Sequence, residues 1–163
     1  MNKLLILGMG NKLFGDDGIG IIVAEKLKEL LDKFDNIDIE ETCWGGFRII
    51  DLLSGYQSAI VIDAVRTAQK PLGYIHQFDY KDIINSVRMV SFHDINFATA
   101  VEFAKKMGIP MPEDIKIFGI EVGETDQFTE ELTQEVKDCI NDCINMILKE
   151  NNVQQQDKVE ELI

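Results

Sequence analysis

The chain has 163 residues, 45% of them apolar, and its 16 Lys and Arg against 29 Asp and Glu give a formal net charge of −13. That length and apolar fraction fit one globular domain and exclude a chain disordered throughout. A domain of this size buries roughly 70% of its unfolded surface, so it needs neither disulfides nor a structural metal to hold a core, and any metal would serve function.

No apolar run approaches the ~20 residues that cross a bilayer. The run Leu4 to Leu7 is cut by Gly8 and Gly10, and no secretory signal is read at the start. Three cysteines without disulfide-framework spacing suit a reducing compartment, so a cytoplasmic protein is expected. A net negative charge with no Lys/Arg cluster repels phosphate backbones and anionic headgroups, so neither nucleic acid nor membrane is an expected partner.

Leu4 to Leu7 is an unbroken apolar run, the pattern of a parallel strand buried on both faces. From Ile19 to Phe34 apolar residues recur at helical spacing, with Glu25, Lys26, Lys28 and Glu29 facing away. Ile37 to Glu41 alternates as a second strand, Phe47 to Leu53 reads as a short helix, and Ser58 to Asp63 is another buried strand. Gly73 to Tyr80 alternates with Tyr74, His76 and Phe78 on one face, which predicts an edge strand. Asp94 to Met107 is helical and stopped by Gly108 and Pro110, and Ile115 to Val122 is the last strand. Thr129 with Glu130 and Glu131 makes a helix start, followed by one stripe from Leu132 through Val136, Cys139 and Cys143 to Leu148. Residues 1–150 are read as one domain and 151–163 as a polar tail. Strands alternating with helices predict an α/β fold with a mostly parallel, twisted sheet of about five strands and helices on both faces. Binding groups then collect at the carboxyl edge, where strand order reverses.

The turn after the first strand runs Gly8-Met9-Gly10-Asn11-Lys12-Leu13-Phe14-Gly15-Asp16-Asp17-Gly18-Ile19-Gly20. A dinucleotide fingerprint fails on spacing, because Leu13 stands where its third glycine belongs, and no Gly-Lys-Ser/Thr phosphate loop is present. Asp16 and Asp17 also place carboxylates where a pyrophosphate would sit, so a cation is the better guest. One carboxylate suffices to cap a helix; which of the two points inward is not fixed by spacing. Asp63 ends an apolar strand at the same edge. In Ser91-Phe92-His93-Asp94 the pairing of Ser91 with Asp94 resembles a capping box, which puts His93 in a first helical turn where a neutral imidazole is favoured. Two carboxylates and one imidazole from connections at one edge can bind a divalent transition metal with coordination positions left open. His76 reads as a surface or packing residue, Cys139 and Cys143 as buried on the helix stripe, and Cys43 as packing or a substrate contact.

These residues resemble the maturation endopeptidases of nickel–iron hydrogenases. The resemblance rests on Gly8-x-Gly10-Asn11 with Asp16-Asp17-Gly18-x-Gly20, on a strand ending in Asp63-Ala64, and on His93 near midchain, and it spans most of positions 3 to 148. It implies a three-layer α/β/α sandwich and an enzyme that removes a C-terminal peptide from the hydrogenase large-subunit precursor, its partner, after nickel insertion. It also implies that Asp17, Asp63 and His93 are the catalytic and nickel-facing residues. The nickel is then supplied by the precursor, and zinc or cadmium can take its place in a crystal. Two blocks depart from the family's pattern: Glu41-Thr42-Cys43-Trp44-Gly45-Gly46 stands where Asp-Gly-Gly-Thr is usual, and Val122 follows Glu121 where proline is common. The alternative reading is a non-catalytic module that carries or senses a divalent ion. A dinucleotide-dependent enzyme with Glu40 or Glu41 on the ribose is disfavoured by the glycine spacing, and oligomeric state is left open.

Overall fold

A computed structural model describes residues 3–85 and 92–151, with the backbone alone for 83–85 and 92–96. Five strands, β1 (Leu4–Met9), β2 (Ile37–Thr42), β3 (Ser58–Val65), β4 (Ile75–Asp79) and β5 (Asp114–Glu121), form one sheet in the order β2-β1-β3-β5-β4. All neighbours are parallel except β4 on β5, so β4 is the expected edge strand, closing the sheet from the antiparallel side. The helices are α1 (Ile19–Leu31), α2 (Arg48–Leu53), α3 (Tyr80–Asn85), α4 (Phe92–Lys106), α5 (Gln134–Asp138) and α6 (Ile140–Glu150).

Period-two alternation divides the strands between two cores. Leu4, Ile6, Ile60, Ile62, Phe118 and Ile120 pack with Val23 and Leu27 of α1 and with Ile144 and Ile147 of α6. Leu5, Leu7, Ala59, Val61, Ile115 and Ile117 pack with Ile49 and Leu53 of α2 and with Phe97 and Val101 of α4. The result is the three-layer α/β/α sandwich, mostly parallel, with helices on both faces.

The structure alters three expectations. The C-terminal helix does not begin at Thr129: its first turn starts at Gln134 with Thr133 as N-cap, and it breaks at Cys139 into α5 and α6. Thr129 is held by backbone bonds to the first loop instead, donating to the Leu13 carbonyl at 2.9 Å and accepting from Gly15 N–H at 2.6 Å. Phe103, placed among the apolar positions of α4, is 44% exposed. The capping partner expected for α4, Ser91, and the tail from 152 lie outside the described residues.

Candidate active site

Strand order reverses between β1 and β3: the chain leaves β1 for β2 on one side and returns from β2 to β3 on the other. Crevices of this kind, beyond the carboxyl ends of the strands, are where open α/β sheets hold ligands. The connection carrying Asp16 and Asp17 leaves β1 here, and Asp63 lies near the end of β3.

Glycine lets α1 and the loop before it approach these two strand ends. A Cβ on Gly20 would lie 2.2 Å from the Ile62 carbonyl oxygen and 2.4 Å from that of Met9, so α1 begins seated against both β1 and β3. Gly10, at φ +138°, lies so close to the loop that a Cβ would fall 1.9 Å from the Asp17 carbonyl oxygen. The glycines that suggest a nucleotide fingerprint therefore serve backbone contact, folding the turn Gly15–Gly18 onto the strand ends.

The two adjacent aspartates have different surroundings. Asp16 is buried and reaches the far end of the chain, accepting from Thr133 N–H at 2.7 Å and from the Thr133 hydroxyl at 2.8 Å. It thus anchors the cap of α5. Asp17 is half-buried, and its Oδ2 accepts from Asn11 N–H at 2.9 Å, which holds the carboxylate against the loop after β1. Neither side chain caps the helix that follows it. The expected capping is therefore displaced onto a distant helix, and the Asp that the resemblance assigns to metal is the one nearer solvent.

Asp63 is 1% exposed, and its Oδ1 accepts from Ala64 N–H at 2.8 Å. By alternation it shares the sheet face of Ala59 and Val61, the face that α2 and α4 cover. His93 is the second residue of α4; its side chain lies outside the described residues. Because α4 feeds the amino end of β5, its opening turn lies toward the carboxyl edge, on the same face as Asp63. The structure thus brings the Asp17 turn to the β3 end that carries Asp63. Among the described residues, no group of three or more His, Cys, Asp or Glu side chains is arranged to hold a metal ion.

Sequence reading missed Glu121. This residue is 1% exposed at the end of β5 and accepts from Thr67 N–H at 2.8 Å, the Thr67 hydroxyl at 2.7 Å and Ala68 N–H at 2.9 Å, with His76 Nε2 at 2.7 Å. Burial pushes the carboxyl up, yet the bonds from Thr67, His76 and the two backbone amides outweigh it and leave its pKa below the ordinary 4.5. Glu121 therefore fixes the turn after β3, where Ala68 has φ 56°. His76, read as a surface or packing residue, does pack, with its ring stacked on Phe78 and edge-on to Tyr74, and in addition holds the Glu121 carboxylate. Cys139 and Cys143 are buried, as expected, and burial first of all pushes their thiols up to about 11 and about 12; Cys43 is exposed.

Among the described residues, no helix is long and apolar enough to cross a membrane. A family model described as hydrogenase maturation protease matches residues 21–150. A protein of Methanocaldococcus jannaschii that carries the hydrogenase maturation protease name is 33% identical over 121 residues, covering 73% of this chain and 71% of that one. The hydrogenase expression/formation protein HupD of Rhizobium leguminosarum is 24% identical over 121 residues, a match that spans 73% of this chain and 59% of HupD. The hydrogenase maturating endopeptidase HybD of E. coli has the same fold, with a TM-score of 0.72 over 94% of each chain at 20% identity. With most of its length matched by the family model and by a relative one third identical, the chain belongs to the hydrogenase maturation protease family.

Proposed function

We propose that this protein is an endopeptidase that removes the C-terminal extension of a nickel–iron hydrogenase large-subunit precursor once nickel has been inserted. Asp17, Asp63 and His93 receive the nickel that the precursor carries. The observation that carries this reading is the seat of Gly20 on the Ile62 and Met9 carbonyls, which sets the Asp17 turn beside the β3 end that holds Asp63. Two carboxylates and an imidazole suit a divalent transition metal while leaving positions for the precursor's own ligands. The metal then acts as a checkpoint, because a precursor without it lacks the contact that seats its tail. Holding the scissile bond in one orientation contributes several kcal/mol of barrier lowering. Hydrolysis adds water across the peptide bond: oxygen to the carbonyl carbon, proton to the departing amine, with a carboxylate at the site able to take the water's proton first.

The test is to incubate the protein with nickel-loaded and nickel-free precursor and follow loss of the C-terminal peptide by mass spectrometry. Cleavage of the loaded form alone is expected. Equal processing of both removes the checkpoint, and metal uptake without cleavage of either marks a carrier module.

A further inference from the structure

Several large exposed apolar side chains, among them Trp44, Phe47, Phe103 and Phe128, belong to two groups tied to the Asp17 loop. On one side, Gly10 N–H donates to the Thr42 carbonyl at 3.1 Å, and the Thr42 hydroxyl accepts from Trp44 N–H at 3.1 Å, so the connection after β2 is tied directly to the loop after β1. That connection presents Trp44, 59% exposed, and Phe47, 63% exposed, which packs edge-on to Phe103 with ring centroids 5.1 Å apart. On the other side, the Thr129 backbone pairs with Leu13 and Gly15 and displays Phe128, 76% exposed and edge-on to Phe14 at 5.4 Å. Backbone hydrogen bonds thus join both apolar groups to the segment that carries Asp17. Contiguous exposed apolar patches mark interaction surfaces, and aromatic residues are enriched in them.

Charge narrows the occupant. Glu40 and Glu41 are exposed at the end of β2 beside Trp44, and Asp126, Glu130 and Glu131 are exposed around Phe128. The nearby Lys12 is engaged by Glu25 at 2.6 Å, and the Arg48 guanidinium lies over the Trp44 ring at 4.8 Å. A chain of net charge −13 favours a partner of opposite sign.

We propose that these two aromatic groups form a split docking rim that grips a segment of the precursor carrying apolar and basic side chains, on both sides of the cleavage centre. This rests on the function proposed above and adds the surface that recognises the substrate protein. Aromatic anchors on either side of a reactive centre hold an extended chain in one direction and let the metal-facing residues meet a single bond.

The experiment uses full-length protein with Trp44→Ser, Phe47→Ser and Phe128→Ser combined. A control variant, Leu30→Ser with Met107→Ser, removes exposed apolar side chains on α1 and in the turn after α4, away from this rim. Since all five side chains are exposed, both variants fold, checked by thermal melting. Precursor cleavage and calorimetric binding of nickel-loaded precursor are measured for each. The rim variant is expected to raise KM and Kd at least about tenfold with kcat within about twofold, while the control stays at wild-type values. Added salt should weaken wild-type binding. Unchanged KM and Kd in the rim variant overturn the docking rim while leaving the proteolytic reading intact. Wild-type binding without cleavage, lost in the rim variant, keeps the rim and removes the proteolytic reading. A rim variant that converts a wild-type dimer to monomer with unchanged Kd assigns the surface to a second copy of the chain and overturns the proposal.

Discussion

Asp16 and Asp17 are neighbours of the same chemistry, and the structure separates their roles sharply enough to test. Asp16→Ala removes two charge-assisted bonds to Thr133, at 2.7 and 2.8 Å, from a carboxylate that is 7% exposed. Such bonds contribute about 1.5–3 kcal/mol each where fully buried, but Thr133 is exposed and water can replace the lost acceptor, so the net cost is about 2 kcal/mol. For a domain of this size that lowers Tm by about 4–8 °C. Asp17→Ala removes one bond, from Asn11 N–H to a half-buried carboxylate, and costs about 0.5–1 kcal/mol. Its effect on cleavage is the larger one, a loss of about 100-fold or more if its carboxylate faces the precursor's metal. The assay pairs thermal melting with precursor processing at a temperature where both variants are folded. Asp16→Ala should cleave at near wild-type rate with a depressed Tm, and Asp17→Ala the reverse. An inactive Asp16→Ala with unchanged Tm, or an Asp17→Ala that melts below it, would refute the division of roles.

Gly20→Ala should be destabilising by about 3 kcal/mol although alanine is the better helix former by about 1 kcal/mol, because its Cβ would press on two strand carbonyls that cannot move independently. A urea midpoint at or above wild type would show that α1 does not sit as closely as described. For Glu121, the folded pKa lies below the ordinary 4.5, so its bonds contribute stability that is fully present above that value and is lost as pH falls through the folded pKa. Glu121→Gln should therefore lower the urea midpoint most at neutral pH, and the gap to wild type should narrow below pH about 4.5; a gap that widens on acidification contradicts the assignment.

The sheet was legible because its central strands are buried on both faces and so read as apolar runs: every residue of β1 is buried, and all but the first of β3. The stripe on the last helix was equally plain, with Val136, Cys143 and Ile147 at the sheet. What failed was the point where that helix begins. Thr129 has the chemistry of an N-cap and does bind Glu131 N–H at 3.1 Å through its hydroxyl. Backbone pairing with Leu13 and Gly15, more than a hundred residues away in sequence, holds 129 extended and moves the start to Thr133, whose cap position is fixed by Asp16. Local propensity set the candidates and a tertiary contact chose between them. The exposure of Phe103 has a similar origin: it packs on Phe47 across α2 and α4 rather than on the sheet.

The site shows where sequence signal ends. In sequence Asp63 and Glu121 present a similar pattern, one acidic residue after a buried apolar run, and both are 1% exposed; β5 does end at Glu121, whereas β3 runs on past Asp63 to Val65. Nothing local distinguishes them, because the partners of Glu121 lie 45 to 54 positions away, at His76 and Thr67. Topology does distinguish them. Asp63 is on β3, which flanks the reversal of strand order and abuts the first turn of α1; Glu121 is on β5, one strand further out, facing the antiparallel edge. A carboxylate on the strand at the reversal stands on the element against which the first turn of α1 is seated, whereas the carboxylate beside the antiparallel edge meets a histidine and two backbone amides that hold it in place. A buried carboxylate at the same sheet edge is thus a candidate metal-facing group on one strand and the clasp of a turn on the other, and strand order, which no short stretch of sequence encodes, separates the two.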